Sequence, residues 1–226
     1  MPNCNYNEVE LWGVCYDIET TTTLDLNHDQ LTGEIPPEIG NLTSLTHLLL
    51  YENQLTGEIP SWIGQLTNLE YLYLHENQLT GEIPPEIGNL TNLEFLNLDS
   101  NFLTGEIPPD LPGAYMTSLT ELNLRNNQLT GEIPSEICNQ GAGGIPYINL
   151  RYNNLCPPYP ECLNEWSLYG QECIPGFLPP RPPHSHIHRH PHRGHVMGGG
   201  RRRQRGGRVR RQMGGNGNGL PKPWDR

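Results

Sequence analysis

The hexapeptide Leu-Thr-Gly-Glu-Ile-Pro occurs five times in this chain, beginning at Leu31, Leu55, Leu79, Leu103 and Leu129, at spacings of 24, 24, 24 and 26 residues. A period of that length means that one small structural unit is repeated along an axis, and this constrains the fold more than any other signal. Upstream of each copy runs the pattern L-x-x-L-x-L-x-x-N-x-L, as in Leu69, Leu72, Leu74, Asn77 and Leu79. A weaker sixth copy follows at Ile145, Ile148, Leu150, Asn153 and Leu155, and the first starts late, at Thr21, Leu24, Leu26, Asp29 and Leu31.

The segment L-x-L reads as a short strand whose two Leu point one way and whose middle residue points the other. One such unit cannot bury its own Leu, whereas stacked units bury them against each other in one long core. The Asn column (Asn53, Asn77, Asn101, Asn127, Asn153) falls where the chain turns out of the strand. An amide both donates and accepts, so it can bond backbone groups of its own unit and of a neighbour. Asp29 holds that position in the first copy, and an ionised Asp only accepts. The Thr-Gly step suits a turn with positive φ. The Ile of Glu-Ile-Pro is a further inward anchor. Pro-Glu-Ile-Gly-Asn-Leu reads as a short helical or 3₁₀ segment on the opposite side, ended by Gly40, Gly64 and Gly88. The extra residues near 110–116 and 140–144 are expected in loops on that side.

The L-T-G-x-I-P block with its 24-residue period resembles the plant-specific class of leucine-rich repeats, found in receptor-like kinase ectodomains and polygalacturonase-inhibiting proteins. The near-identical copies are also similar to secreted repeat proteins of marine bacteria. The resemblance covers residues 4–173, about three quarters of the chain. It implies an α/β repeat solenoid: a right-handed leucine-rich repeat superhelix with short parallel concave strands and disulfide caps. It also implies a binding function. No kinase motif is present.

The expected organisation is an N-terminal cap (1–20), six repeats (21–155), a C-terminal cap (156–173) and a disordered tail (174–226). Leu11-Trp-Gly-Val-Cys15, with Cys4 upstream, is similar to the family's N-terminal cap signature, which implies a Cys4–Cys15 bond and Trp12 over the first Leu layer. Cys138, Cys156, Cys162 and Cys173 allow three pairings. The family analogy implies Cys156–Cys162 and Cys138–Cys173. Cys138 and Cys162 also fall on neighbouring convex turns, which leaves their pairing open. An even Cys count confined to the caps points to an oxidising compartment, and the spacings are not those of a zinc site. A secreted, extracellular protein is expected, although no signal peptide is recognisable after Met1. No apolar run reaches the ~18 residues of a membrane span.

The outward positions of the strands form three columns. The first is Thr23, His47, Tyr71, Phe95, Glu121 and Tyr147; the second is Asp25, Leu49, Tyr73, Asn97, Asn123 and Asn149; the third is Asn27, Tyr51, His75, Asp99, Arg125 and Arg151. His47, Leu49, Tyr51, Tyr71, Tyr73, His75 and Phe95 cluster in repeats two to four. Together with Asp99, Arg125 and Tyr147 they are the candidate partner-binding residues, since Tyr buries much area at little entropic cost. Aromatics are also simply good strand residues on an exposed sheet. No catalytic constellation stands out from the lattice, so no enzyme and no cofactor is expected, and the body histidines share no column that would hold a metal. Gln140-Gly-Ala-Gly-Gly is not a phosphate loop, because no Lys follows it. Glu34, Glu58, Glu82, Glu106 and Glu132 stack in a column of their own, which reads as a solvated face or as a surface for cations or a basic segment. Asn41 and Asn89 open glycosylation sequons.

Charge divides the chain. Residues 1–173 hold 24 acidic residues against Arg125 and Arg151, a net −22. Residues 174–226 hold 12 basic residues against Asp225, a net +11, with six of the nine His. That second part runs Pro-rich, then His-rich, then Arg/Gly-rich, and nothing in it can form a core. Its chemistry suits divalent metals or nucleic acid, although a secreted solenoid rarely meets nucleic acid. It also suits docking on the acidic body. The leading expectation is a monomeric, non-enzymatic module that binds a protein, a peptide or a glycan-associated ligand of that kind. An inhibitor of a polysaccharide-degrading enzyme is the alternative of a different class.

Overall fold

The computed structural model describes residues 4–111, 116–138, 145 and 147–173. The tail expectations and the Gln140–Gly144 string lie outside these residues. The chain opens with an antiparallel hairpin of β1 (Glu8–Leu11) and β2 (Val14–Asp17). The two residues between them, Trp12 and Gly13, both have positive φ (46° and 85°), as a two-residue hairpin turn matched to strand twist requires. Val9 and Leu11 are buried against the first repeat, and Trp12 packs partly buried beside them. The cap thus closes the core mainly with the inward residues of β1.

Six three-residue strands form one parallel sheet in chain order: β3 (Thr23–Asp25), β5 (His47–Leu49), β7 (Tyr71–Tyr73), β8 (Phe95–Asn97), β9 (Glu121–Asn123) and β10 (Tyr147–Asn149). The register is uniform, with Leu24, Leu48, Leu72, Leu96, Leu122 and Ile148 side by side. A second parallel ladder runs along the side of the solenoid. β4 (Thr32–Gly33) pairs with β6 (Gln54–Leu55), and single bridges Glu58–Thr80, Glu82–Thr104, Glu106–Thr130 and Glu132–Cys156 continue it. The convex side carries 3₁₀ helices η1 (Pro37–Asn41), η2 (Ser61–Gln65), η3 (Pro85–Asn89) and η4 (Ser135–Cys138).

Two sequence-based expectations are corrected. Gly40, Gly64 and Gly88 do not end the 3₁₀ helices, which run one residue further to Asn41, Gln65 and Asn89. They are glycines because neighbouring turns come close: a Cβ on Gly64 would lie 2.5 Å from the carbonyl oxygen of Glu86. Leu111 and Met116 are fully buried and occupy the places of Ile87 and Leu90; the extra residues expected in a loop lie between them, outside the described residues. The C-terminal disulfides are Cys138–Cys162 and Cys156–Cys173, not the pairs implied by the family analogy, while Cys4–Cys15 is formed. The first pair spans one regular turn and the second the shorter final turn, and in each the two residues lie above one another on successive turns, with Cα atoms 5.7 and 4.9 Å apart.

Candidate functional site

Each side-chain amide of the Asn column bonds two turns together. Asn77 Nδ2 donates to the Leu50 carbonyl of the preceding turn (2.9 Å) and to the Leu74 carbonyl of its own (3.1 Å). Its Oδ1 accepts the Leu55 N–H at 3.0 Å. Asn53, Asn101, Asn127 and Asn153 repeat the arrangement, and all five are buried. Asp29 is exposed. The residue before each rung has positive φ: His28, Glu52, Glu76, Ser100, Asn126 and Tyr152 lie between 53° and 58°. This left-handed step turns the chain out of the strand and aims the next side chain inward. None of the six is Gly, so packing holds each in a conformation that costs roughly 1–2 kcal/mol.

The frame fixed by this ladder sets the spacing of the concave face. Residues of one column sit one strand apart, ~4.8 Å, which is also a favourable ring-stacking distance. His47 stacks on Tyr71 with centroids 4.3 Å apart, and Tyr71 on Phe95 at 4.6 Å. In the third column Tyr51 stacks on His75 at 4.5 Å. Tyr73 stands between the two stacks and meets Tyr71, Tyr51 and His75 edge-on at 6.2, 6.2 and 5.7 Å. Seven residues, His47, Leu49, Tyr51, Tyr71, Tyr73, His75 and Phe95, thereby form one half-buried apolar patch.

Burial also sets the charge of the patch. It pushes the Tyr73 phenol up to about 12, with Glu121 adding to the shift. Burial lowers the His75 imidazole to about 4, and His28 adds to this. Both groups are neutral at pH 7. Burial also raises the Glu121 carboxyl. At Tyr73 and His75 the patch is therefore uncharged and partly desolvated, suited to apolar and hydrogen-bonding contacts.

A leucine-rich repeat region model matches residues 22–126, and a single leucine-rich repeat model matches 118–140. No curated protein matches the sequence. Among solved structures, a chain of the BIR3–SERK2 complex from Arabidopsis thaliana is 34% identical over 70% of this chain and 80% of its own, with a TM-score of 0.51. The chain belongs to the leucine-rich repeat family. The Arabidopsis receptor kinase HAESA, in complex with the peptide hormone IDA and the co-receptor SERK1, is 40% identical over 59% of this chain and 22% of its own (TM-score 0.55). A TDR receptor is 33% identical over 61% and 23% (TM-score 0.58). The chain spans less than a quarter of the length of these last two. The repeats are of the plant type, and the similar structures include leucine-rich repeat ectodomains of plant receptor kinases.

The other candidate residues of this leucine-rich repeat protein lie apart from the aromatic patch, toward the C-terminal end of the sheet. Arg125 meets Asp99 at 3.6 Å. Tyr147 lies edge-on to Trp166 at 5.6 Å. They border a second cluster that the sequence reading did not assemble. The Arg151 guanidinium lies 5.2 Å from the Tyr152 and Trp166 ring centres and 5.4 Å from that of Tyr169. Trp166 and Tyr169 are exposed.

The cap itself is a shortened seventh turn. Leu150 N–H donates to the Ser167 carbonyl and Tyr152 N–H to that of Tyr169, both at 3.0 Å, as strand neighbours do elsewhere. Gly170 has φ 77°, matching the left-handed step before each Asn. Gln171 then takes the place of the next Asn. The signal was in the sequence: Trp-Ser-Leu-Tyr-Gly-Gln (166–171) aligns with Ile-Asn-Leu-Arg-Tyr-Asn (148–153). Gln for Asn and Trp for Ile concealed it.

Among the described residues, one grouping has metal-ligand types in reach of each other: Cys4, Glu8 and Cys15. Its two sulfurs are bonded to each other and offer no thiolate.

Proposed function

We propose that this protein is a non-enzymatic extracellular recognition module that binds a protein or peptide along its concave sheet, with the His47–Tyr71–Phe95 and Tyr51–His75 stacks as the contact surface. The carrying observation is the patch itself. It offers rigid aromatic side chains, already ordered by mutual stacking, which lose little entropy on binding. Kinship with HAESA, whose ectodomain structure holds a peptide hormone and a co-receptor, supports a partner of this class. Three disulfides support an oxidising compartment. No helix among the described residues is long and apolar enough to cross a membrane.

The test is selection of a displayed random-peptide library on the immobilised full chain, with counter-screening on Tyr71→Ser and Tyr73→Ser chains. Binders that lose at least ten-fold in affinity on both variants, while ignoring Phe102→Ser at an exposed position outside the patch, are the expected result. Binders indifferent to both substitutions would overturn the assignment.

A further inference from the structure

The side of the solenoid that carries the Glu ladder is grooved between turns. One groove, lined by Glu58, Ile59, Pro60, Glu82, Ile83 and Pro84, is a plain product of the repeat. A second, of about 450 Å³, lies at the C-terminal end and differs from it. Pro109, Pro134 and Pro160 converge there with the ring of Tyr159, and Glu106, Glu132 and Glu136 edge it. The Tyr159 hydroxyl donates to the Leu155 carbonyl at 3.1 Å, which fixes the ring at the wall. An aromatic ring among prolines, edged by carboxylates, is chemistry that receives a proline-rich strand bearing a cation.

Such a strand lies just downstream in this chain. Residues 178–182 read Leu-Pro-Pro-Arg-Pro. Consecutive prolines favour the extended polyproline conformation, which loses little entropy on docking. The point of departure is also fixed. Cys173 is bonded to Cys156, with Cα atoms 4.9 Å apart, and Cys156 bridges to Glu132 in the groove wall. At ~3.1 Å per residue, a stretch of five residues beyond Cys173 spans ~15 Å. A tether that short gives an effective concentration in the millimolar range, so weak intrinsic affinity is enough.

We propose that the Tyr159 groove is a docking site for the chain's own proline–arginine segment, residues 178–182, with Arg181 facing the Glu132 and Glu136 carboxylates. The segment occupies the lateral groove and leaves the concave sheet free.

The experiment uses the isotopically labelled full chain in solution. Arg181→Ala should shift the amide resonances of Ile133, Glu136 and Tyr159 and leave those of the Glu58–Pro84 groove in place. A synthetic peptide of residues 176–184 should then bind the Arg181→Ala chain at least ten-fold more tightly than the wild type, whose groove is filled. A Tyr159→Ala, Glu136→Gln chain should not bind the peptide, while its remaining amides report an intact fold. Groove resonances unchanged by Arg181→Ala would overturn the proposal. So would shifts spread evenly along the Glu ladder and abolished by 0.5 M salt, since these describe diffuse charge attraction. Shifts that depend on protein concentration would assign the groove to the segment of a second copy and overturn docking within one chain.

Discussion

The Gln171 side chain is bonded to the Leu150 backbone as each ladder Asn is to the turn before it: Nε2 donates to the Leu150 carbonyl at 2.7 Å, and Oε1 accepts the Leu155 N–H at 3.1 Å. The cap therefore ends the solenoid by continuing its hydrogen bonding for one more turn. The last repeat is left with no unmet carbonyl or N–H at the place where a further Asn would have been.

Gln171→Ala should destabilise the C-terminal repeats by about 1–3 kcal/mol, the cost of leaving buried backbone groups without a partner. Asn77→Ala should cost a similar amount in the middle of the ladder. Chemical denaturation checks both, and hydrogen exchange at Leu155 should rise selectively in the Gln171 variant. Wild-type stability in either variant would contradict the ladder.

Gly81 has φ 76°, and a Cβ there would lie 2.7 Å from Cγ of Glu58. The same contact recurs at Gly57, Gly105 and Gly131. The Glu column is thus packed over the next turn's glycine as well as solvated. Gly81→Ala should be destabilising through both backbone strain and overlap. Combining it with Glu58→Ala should recover the overlap and leave roughly 1 kcal/mol of strain. A double-mutant cycle by thermal denaturation measures the difference. Simple additivity would show that the overlap is relieved at no cost.

His75 titrates at about 4 in the folded chain, against about 6.5 when unfolded. The unfolded chain therefore binds a proton that the folded chain refuses between these values. Stability from this group is complete above pH 6.5 and is lost as pH falls toward 4, with a limiting slope of about 1.4 kcal/mol per pH unit. Glu121, raised by burial, acts in the opposite sense at the acid end of that window. His75→Phe keeps the ring against Tyr51 and removes the titration. Its stability should fall less steeply with acid than that of the wild type. Parallel slopes between pH 6.5 and 4 would show that His75 is free to protonate in place.

Cutting after Arg151, Glu161 and Glu172 places each C-terminal cysteine on a separate peptide. Without reduction, mass spectrometry should recover Cys138 linked to Cys162 and Cys156 linked to Cys173. Replacing Cys138 and Cys162 together by Ser should cost about 3 kcal/mol by loop entropy. A Cys156–Cys162 peptide would overturn the stacked-turn explanation of the pairing.

The sequence by itself determined the solenoid, its register and its columns. A strict 24-residue period with Leu, Asn and Gly at fixed places leaves one way to bury the Leu, so Leu48, Leu72 and Leu96 had to lie side by side and His47, Tyr71 and Phe95 had to share a column. Only the tertiary structure decided what depends on the distance between turns. That holds for Gly64, which is excluded from carrying a Cβ by Glu86, and for Gly81, which seats Glu58. It holds for the two aromatic stacks, whose ring orientation comes from packing. It holds for the cap, where Gln171 replaces an Asn and two disulfides join residues one turn apart. The physical reason is that a repeat pattern encodes the contacts each unit makes in common with all the others. The ends have a neighbour on one side only, so their contacts are set by how the chain folds back in space.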